Sequence, residues 1–227
     1  MTKTRKIIND PVFGFLSIPD GVLFQILQHP YMQRLNRIRQ LGLSFFVYPG
    51  AMHSRFLHSL GAMHLMHEAL TSLREKGVEI SETEATAAMA AILLHDVGHG
   101  PFSHVFEEAG MLPTGMSHED ISLMMMEEIR DSFQTVKAHE VHNGQEIMNL
   151  AIAIFKDEYH KHFLHQLISS QLDVDRLDYL CRDSFFCGVT EGSVASARIL
   201  KMMNVQDGRL VVEAKGIYSV EKFLVAR

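Results

Sequence analysis

The stretch that decides the fold runs from residue 89 to residue 107 and reads Met-Ala-Ala-Ile-Leu-Leu-His-Asp-Val-Gly-His-Gly-Pro-Phe-Ser-His-Val-Phe-Glu. An apolar helical run ends in the adjacent pair His95 and Asp96, and Gly98 and Gly100 then end the helix. Burying an unpaired carboxylate costs several kcal/mol, so Asp96 requires a positive partner. A divalent metal ion is one such partner, because imidazole and carboxylate ligands suit borderline first-row metals. The alternative is that His95 caps the helix C-terminus and Asp96 forms a salt bridge with a nearby arginine.

The composition is that of an ordinary globular domain, with 47% hydrophobic and 21% charged residues in 227, which predicts a single domain over residues 1–227. The formal net charge of −6 argues against a nucleic-acid backbone as the main partner, but not against a local basic pocket. Cys181 and Cys187 are the only cysteines, which fits a reducing compartment and a cytoplasmic location. No run approaches roughly 18 consecutive apolar residues and no secretory signal is visible, so we expect no membrane span.

Apolar residues recurring at three- and four-residue intervals predict a mainly α-helical fold. Helices are expected at 22–29, 31–41, 54–76, 82–94, 118–129, 146–155, 161–170, 171–181, 193–203 and 217–227. Small β-hairpins are expected at 5–18, with a turn at Asn9-Asp10-Pro11, and at 205–213 around Asp207-Gly208. The last helical pattern has no C-terminal cap, so we expect the natural chain to continue beyond it.

Histidine and aspartate are concentrated in four segments whose ligand-type side chains are expected to face inward: 53–58, 95–96, 99–118 and 173–179. Eight of the 14 histidines lie between His53 and His118, which hints at metal or acid–base chemistry. An Asp-rich helical turn is usually a solvated face. Here the aspartates alternate with core residues over 172–178, so at least one of them should point inward.

Three blocks, in this order, resemble the HD-domain metal-dependent phosphohydrolase superfamily and, more narrowly, the deoxynucleoside triphosphate triphosphohydrolases. They are Tyr48–Gly61 (YPGAMHSRFLHSLG), Leu94–His104 (LHDVGHGPFSH) and Asp173–Tyr179 (DVDRLDY). The likeness extends from about residue 5 to the C-terminus. It implies a mainly α HD-domain helical bundle with one or two small β-hairpins and a metal-binding core at about 45–190.

The resemblance implies that His58, His95, Asp96 and Asp175 hold one divalent ion, which could be Fe, Mn, Zn, Ni, Co or Mg. Two neutral imidazoles and two carboxylates balance a divalent charge and leave room for water and a phosphate oxygen.

The resemblance also assigns acid–base roles. It places His104 near the scissile bond as proton donor to the leaving oxygen, with His118 close by and Glu107 orienting His104. An imidazole suits this task because its pKa lies near the working pH. Glu107 stands where the family pattern has aspartate. For His99, a contact with phosphate and a bracing role in the loop are equally open.

Further positions match substrate contacts of the family. Arg55 resembles its phosphate-binding arginine, which suits bidentate contact with anionic oxygens. Arg176 keeps the charge of a position where lysine is common. Tyr179 and Asp183 match contacts to the triphosphate and sugar, and Gln40 matches a contact to the sugar edge. The alternative for Gln40 is an exposed amide at a helix end.

The expected function is therefore hydrolysis of a (deoxy)nucleoside triphosphate to nucleoside and triphosphate. The expected partner is a nucleotide substrate, and relatives suggest at least a homodimer. Three alternatives remain: hydrolysis of another phosphate ester such as a nucleoside monophosphate, a nucleotide-binding regulator without turnover, and a structural helical scaffold.

Overall fold

The structure is a computed structural model that describes residues 5–102, 105, 109–110, 115–133 and 143–227. Its described part is mainly α-helical with two small antiparallel sheets, as the sequence predicts. The helices are α1 Val22–Gln28, α2 Pro30–Arg34, α3 Arg55–Glu75, α4 Glu82–Leu94, α5 His118–Ser132, α6 Gly144–Phe155, α7 His162–Ile168, α8 Val174–Cys187, α9 Ser196–Met202 and α10 Ile217–Ala226. Short 3-10 turns lie at Leu35–Arg37, Ser44–Phe46 and Ala214–Gly216. No described helix combines the length and apolar character needed to cross a bilayer.

Both predicted hairpins are present, but the turn of the first lies at residues 11–13 rather than at Asn9-Asp10-Pro11, because Asn9 and Asp10 still pair within the sheet. Strands β1 (Arg5–Asp10) and β2 (Gly14–Pro19) pair antiparallel, and so do β3 (Met203–Gln206) and β4 (Arg209–Val212). The second turn is Asp207-Gly208, with φ of 51° and 74°, which matches the two-residue turns that favour glycine.

Helix α4 lies at the centre of the bundle, between α3 and α6, and α3 packs in turn on α8. Its alanines allow neighbouring backbones to approach closely, and Ala87, Ala88, Ala90 and Ala91 are all fully buried. Ser81 and Glu84 form a capping box at its start, which satisfies N–H groups that the helix itself leaves unpaired. The apolar run of the sequence is thus the buried axis that delivers His95 and Asp96 to the interior.

The predicted helix 31–41 is wrong beyond its first turn. After α2 and the 3-10 turn the backbone becomes extended, and Arg39 forms an isolated β-bridge with Ser54. The Ile38 carbonyl accepts a hydrogen bond from the Arg55 N–H at 2.9 Å, and the Gln40 N–H donates to the His53 carbonyl at 3.0 Å. Pairing with the segment that leads into α3 therefore outweighs the helical pattern.

The predicted helix 171–181 is placed too early in the chain. Residues 169–173 are not helical, and α8 begins after Asp173, whose Oδ1 accepts from the Arg176 N–H at 2.8 Å. An aspartate at this position is a strong N-cap. The sequence also predicts a turn and short helix over 101–108 and a loop over 131–145. Most of both segments lies outside the described residues, although α5 reaches Ser132 and therefore extends into the predicted loop.

Candidate metal centre and adjoining cleft

His95 is held by the end of α4 with one ring nitrogen facing the interior. Its Nδ1 lies 2.6 Å from the Ile92 carbonyl oxygen. Because a carbonyl can only accept, Nδ1 carries the proton and the neutral ring presents the lone pair of Nε2.

His58 lies in the first turn of α3 and is fixed in the same way. Its Nδ1 lies 2.7 Å from Oδ2 of Asp178, and both side chains are fully buried. A carboxylate accepts, so His58 Nδ1 donates and Nε2 is left as an acceptor. The two Nε2 atoms of His58 and His95 lie 3.3 Å apart.

Two carboxylates complete the cluster. Asp175, in the first turn of α8, places Oδ1 at 3.0 Å from His58 Nε2 and 3.4 Å from His95 Nε2. Asp96 places Oδ1 at 3.4 Å from His95 Nε2 and Oδ2 at 3.8 Å from His58 Nε2. Three of these residues, His58, His95 and Asp96, each offer a ligand atom, and these three atoms all lie within 4.8 Å of one another.

The donor chemistry of this cluster fits a divalent cation. Two imidazole nitrogens and two carboxylate oxygens face one another, and the outer nitrogen of each imidazole is already bound to an acceptor. Lone pairs arranged in this way repel each other unless a proton or a cation lies between them, and a His/Asp set suits a first-row divalent metal. The four residues from distant segments could therefore hold one ion.

The electrostatics of the cluster favour positive charge. Burial alone would lower the pKa of His58, but hydrogen bonds to Asp175 and Asp178 outweigh it and raise that pKa to about 10. Burial would raise the pKa of Asp175, but contacts with His58 and His95 hold it below its ordinary value. The carboxylates that stabilise a proton on His58 would stabilise a metal cation in the same place.

Asp96 also forms the salt bridge that was the alternative explanation of the His-Asp pair. Arg55 Nη1 lies 2.5 Å from Asp96 Oδ2, and Arg55 is only 4% exposed. Arg55 therefore fixes one oxygen of Asp96 while the other faces His95. The salt bridge and the four-residue cluster coexist, so they are not competing arrangements.

The turn after Asp96 is braced by α5. Ser122 Oγ donates to the His95 carbonyl at 2.8 Å and accepts from the Gly98 N–H at 2.9 Å. A Cβ on Gly98 would collide with the Ser122 backbone and the His118 carbonyl. Only glycine allows this close approach.

His99 and His118 stack beside the cluster with ring centroids 4.0 Å apart and an interplanar angle of 17°. His99 Nε2 lies 3.2 Å from Asp96 Oδ1 and the residue is 2% exposed. Burial, opposed by Asp96 and assisted by Arg55 and His118, lowers the pKa of His99 to about 4. These contacts hold His99 in the loop, and its contact with phosphate stays a prediction. His104 and Glu107, expected to carry proton transfer, lie outside the described residues.

A cleft of about 650 Å³ adjoins the cluster through Arg55. Four residues expected to contact substrate line it: Gln40, Arg55, Tyr179 and Asp183. The rest of the lining is Arg39, Leu41, Gly42, Leu43, Ser44, Phe102 and Val105. Gln40 lies in a turn that follows the β-bridge at Arg39 rather than at a helix end, and its Oε1 is buried without a hydrogen-bond partner in the described part of the chain. Arg55 Nε is buried and unpartnered in the same sense.

Arg176 is connected to the cleft through Tyr179. Its Nη1 lies 3.4 Å from the Tyr179 hydroxyl, its Nε donates to the Ser170 carbonyl at 3.0 Å, and its guanidinium is 3.3 Å from Asp173. Arg176 thus supplies the positive charge expected at this position, and its guanidinium already contacts Ser170, Tyr179 and Asp173.

The sequence does not predict the roles of two supporting groups, although His53 and Asp178 lie in segments expected to face inward. His53 Nε2 lies 2.7 Å from Asp183 Oδ1, and its ring stacks on Phe186 at 4.6 Å. His53 therefore fixes a residue of the cleft. The second group is the ion pair of Asp178 and Arg182. These two residues are four positions apart on α8, and this spacing is the sequence signal that could have indicated the pair.

Comparison with known proteins agrees with this geometry. The HD domain family model matches residues 55–183. A crystal structure of a phosphohydrolase from Bacteroides thetaiotaomicron is 61% identical, with a TM-score of 0.90, over 99% of this chain and 52% of that chain. The uncharacterised protein YwfO of Bacillus subtilis is 32% identical over 98% of this chain and 50% of its own length. A Dictyostelium discoideum protein named deoxynucleoside triphosphate triphosphohydrolase SAMHD1 homolog is 31% identical over 99% of this chain and 45% of its own length.

The chain belongs to the HD-domain family of phosphohydrolases. It spans about half the length of the curated relatives it matches.

Proposed function

We propose that this chain hydrolyses (deoxy)nucleoside triphosphates to nucleoside and triphosphate, with one divalent metal ion held by His58, His95, Asp96 and Asp175. The observation that carries the proposal is the position of this cluster beside a cleft large enough for a nucleotide, with Arg55 contacting both. The name of the Dictyostelium relative supports the choice of triphosphate substrate.

Within this proposal Arg55 binds the phosphates. One edge of its guanidinium is held by Asp96, while Nε has no partner in the described residues and is available to an anionic oxygen. A planar, permanently charged group fixed in this way is preorganised for phosphate. Arg176 adds positive charge next to Tyr179.

The sugar end would be bound by Gln40, Tyr179 and Asp183. The unpartnered Oε1 of Gln40 can accept a hydrogen bond from a sugar hydroxyl, and the hydrogen bond from His53 fixes the orientation of Asp183. Apolar side chains such as Leu41 and Phe102 leave the base a surface to pack against.

The reaction adds water across one phosphoester bond. A new bond forms between the water oxygen and the α-phosphorus, the bond from phosphorus to the 5′ oxygen breaks, and a proton passes to that oxygen. When bound, a divalent ion would polarise a phosphate oxygen and acidify water. The family resemblance gives proton donation to His104, oriented by Glu107 and near His118, and these roles are part of the proposal.

The test is incubation of the protein, loaded in turn with Mn²⁺, Fe²⁺, Co²⁺, Ni²⁺, Zn²⁺ or Mg²⁺, with a panel of nucleotides. We expect nucleoside and intact triphosphate in equal amounts from deoxynucleoside triphosphates. Orthophosphate or pyrophosphate in place of triphosphate, or turnover of nucleoside monophosphates alone, would replace this assignment with another phosphate-ester hydrolase. Tight nucleotide binding without any product would indicate a regulator.

Three further expectations belong to the same proposal. The chain is taken as a single HD domain over 1–227 with its metal-binding core at about 45–190, it acts in the cytoplasm, and it assembles at least as a homodimer. Light scattering at micromolar concentration tests the last of these, and a monomer under all conditions would contradict it.

A further inference from the structure

A buried chain of ion pairs connects the metal cluster with the N-terminal hairpin. It begins at Asp178 Oδ2, which accepts from His58 Nδ1 at 2.7 Å. Arg182, one turn later on α8, donates from Nε to Asp178 Oδ2 at 2.9 Å and from Nη2 to Asp178 Oδ1 at 2.8 Å. Both side chains are completely buried.

Arg182 also reaches out of its own helix to the first hairpin. Its Nη1 donates to Oδ2 of Asp10, the last residue of β1, at 2.7 Å, and this pair is likewise fully buried. The other oxygen of Asp10 accepts from the N–H groups of Val12 and Phe13, each at 2.9 Å. Asp10 therefore joins the turn of the hairpin to the guanidinium.

The absence of a side chain at Gly61 makes room for these ion pairs. A Cβ on Gly61, in the middle of α3, would collide with Asp178 Oδ1 and Arg182 Nη2. The ion pair thus lies directly on the backbone of the helix that carries His58. Glycine inside a helix is less favourable than alanine, so its use here requires a packing reason, and the ion pair supplies one.

The charges do not balance within the chain of contacts. Two carboxylates, Asp10 and Asp178, face one guanidinium, and burying an excess negative charge is expensive. The excess lies next to His58. A carboxylate on the outer nitrogen of a ligating imidazole fixes its tautomer and strengthens its inner nitrogen as a ligand.

We propose that Asp10, Arg182 and Asp178 form a positioning relay through which the N-terminal hairpin sets the metal affinity of His58. Arg182 bridges the two carboxylates and orients Asp178, and Asp178 keeps His58 Nε2 directed at the ion. The inference rests on the metal site of the proposed function, but not on the identity of the substrate.

The test measures Co²⁺ binding by chelator competition and by the visible spectrum of the bound ion. We expect Asp178→Asn to weaken Co²⁺ binding about 10- to 100-fold, in the range known for outer-sphere partners of metal ligands. Asp10→Asn, which keeps size and an acceptor for the turn, should weaken it about tenfold and shift the spectrum in the same direction. The double variant should bind no more weakly than Asp178→Asn alone, because both act through one path.

The matched control is Ile18→Val on the same hairpin, where Ile18 is fully buried and outside the relay. It should lower the melting temperature without changing Co²⁺ affinity. Additive effects of Asp10→Asn and Asp178→Asn, or Co²⁺ affinities within twofold of the unmodified protein in folded variants, would overturn the relay.

A measurement on the unmodified protein covers the case in which the variants do not fold. In the Zn²⁺-loaded protein, ¹⁵N shifts of the imidazoles should show His58 protonated at Nδ1 and metal-bound at Nε2. Ligation through Nδ1 would overturn the relay. If the unmodified protein binds neither Co²⁺ nor Zn²⁺, the metal site of the proposed function fails as well, whereas metal binding without nucleotide turnover leaves the relay intact.

Discussion

The Nε2 atoms of His58 and His95 face each other at 3.3 Å, and the Nδ1 atom of each ring is hydrogen-bonded to an acceptor. Two neutral rings in this arrangement oppose their lone pairs. The contact is therefore stable only with a shared positive charge, either a proton or a metal ion.

Replacing His95 by alanine should abolish metal binding. Mutation of a residue that only hydrogen-bonds to a metal ligand lowers metal affinity about 10- to 100-fold. Loss of a direct ligand should therefore weaken metal binding by at least about 100-fold. Elemental analysis after dialysis against a weak chelator measures this. His67→Ala on the neighbouring helix α3 is the control, because His67 is exposed and outside the cluster. Equal metal content in both variants would contradict the assignment of His95.

Arg55→Lys should damage phosphate binding while the cluster remains assembled. Lysine keeps the charge but cannot contact Asp96 and a phosphate through two edges of one planar group. We expect the KM for a nucleoside triphosphate to rise about tenfold or more, because the loss of one hydrogen bond to a charged group costs about 1.5 kcal/mol or more. Steady-state kinetics measure it, with metal content determined in parallel.

Arg74→Lys is the matched substitution at the other end of α3, where the arginine pairs with exposed Glu82. It should leave KM unchanged. If Arg55→Lys also leaves KM unchanged, Arg55 serves only to hold Asp96.

The residue pattern and the family resemblance together predict the metal ligands, and neither assigns a role to their supporting residues. His95 and Asp96 stand out because they interrupt an apolar helical pattern and need a buried partner, whereas the resemblance adds His58 and Asp175. The partner of His58, Asp178, is separated from it by 120 positions, and pairing over that distance leaves no local pattern. Arg182 and Asp10 were missed for the same reason.

The error in the helix predicted at 31–41 has a related cause. Local spacing of Leu35 and Ile38 favours a helix, but both are buried in the core from a 3-10 turn and an extended segment. The backbone of Arg39 instead pairs with Ser54. This long-range pairing also brings Gln40 to the cleft, so the prediction failed where the chain forms the wall of that cleft.

Gly61→Ala should destabilise the protein although alanine is the better helix former. The added Cβ would collide with the buried ion pair of Asp178 and Arg182. Overpacking a rigid core costs about 1–3 kcal/mol, and displacing a buried ion pair adds to that cost. We expect a loss of about 3 kcal/mol or more in urea unfolding.

Ser59→Ala, two residues earlier on α3, is the control. Ser59 is fully buried and its Oγ has no partner within the described structure. Removing an unsatisfied buried hydroxyl is close to neutral or stabilising. A Gly61→Ala protein as stable as the Ser59→Ala protein would show that the ion pair moves aside without cost.

Glu84→Gln should make stability less dependent on acid pH. Burial would raise the pKa of Glu84, but hydrogen bonds from Lys161, Tyr159 and the Ser81 N–H outweigh it and lower that pKa from 4.5 to about 2. A carboxylate whose pKa is lower in the folded state than in the unfolded state stabilises the fold at pH values above its unfolded-state pKa. This contribution is lost as the pH falls through the folded-state pKa. At neutral pH, the free energy of unfolding of the unmodified protein should therefore exceed that of the variant by about 1–3 kcal/mol.

That advantage should shrink between pH 4.5 and about 2, where Glu84 takes up its proton in the folded state. Glutamine keeps the capping box at the start of α4, so the difference isolates the charge. Urea unfolding of both proteins at a series of pH values measures it. Glu82→Gln, two residues earlier and with its side chain 87% exposed, should differ from the unmodified protein by less than about 0.5 kcal/mol throughout. A stability difference for Glu84→Gln that stays constant with pH would mean that its hydrogen bonds, rather than its charge, hold Lys161 and Tyr159 against α4.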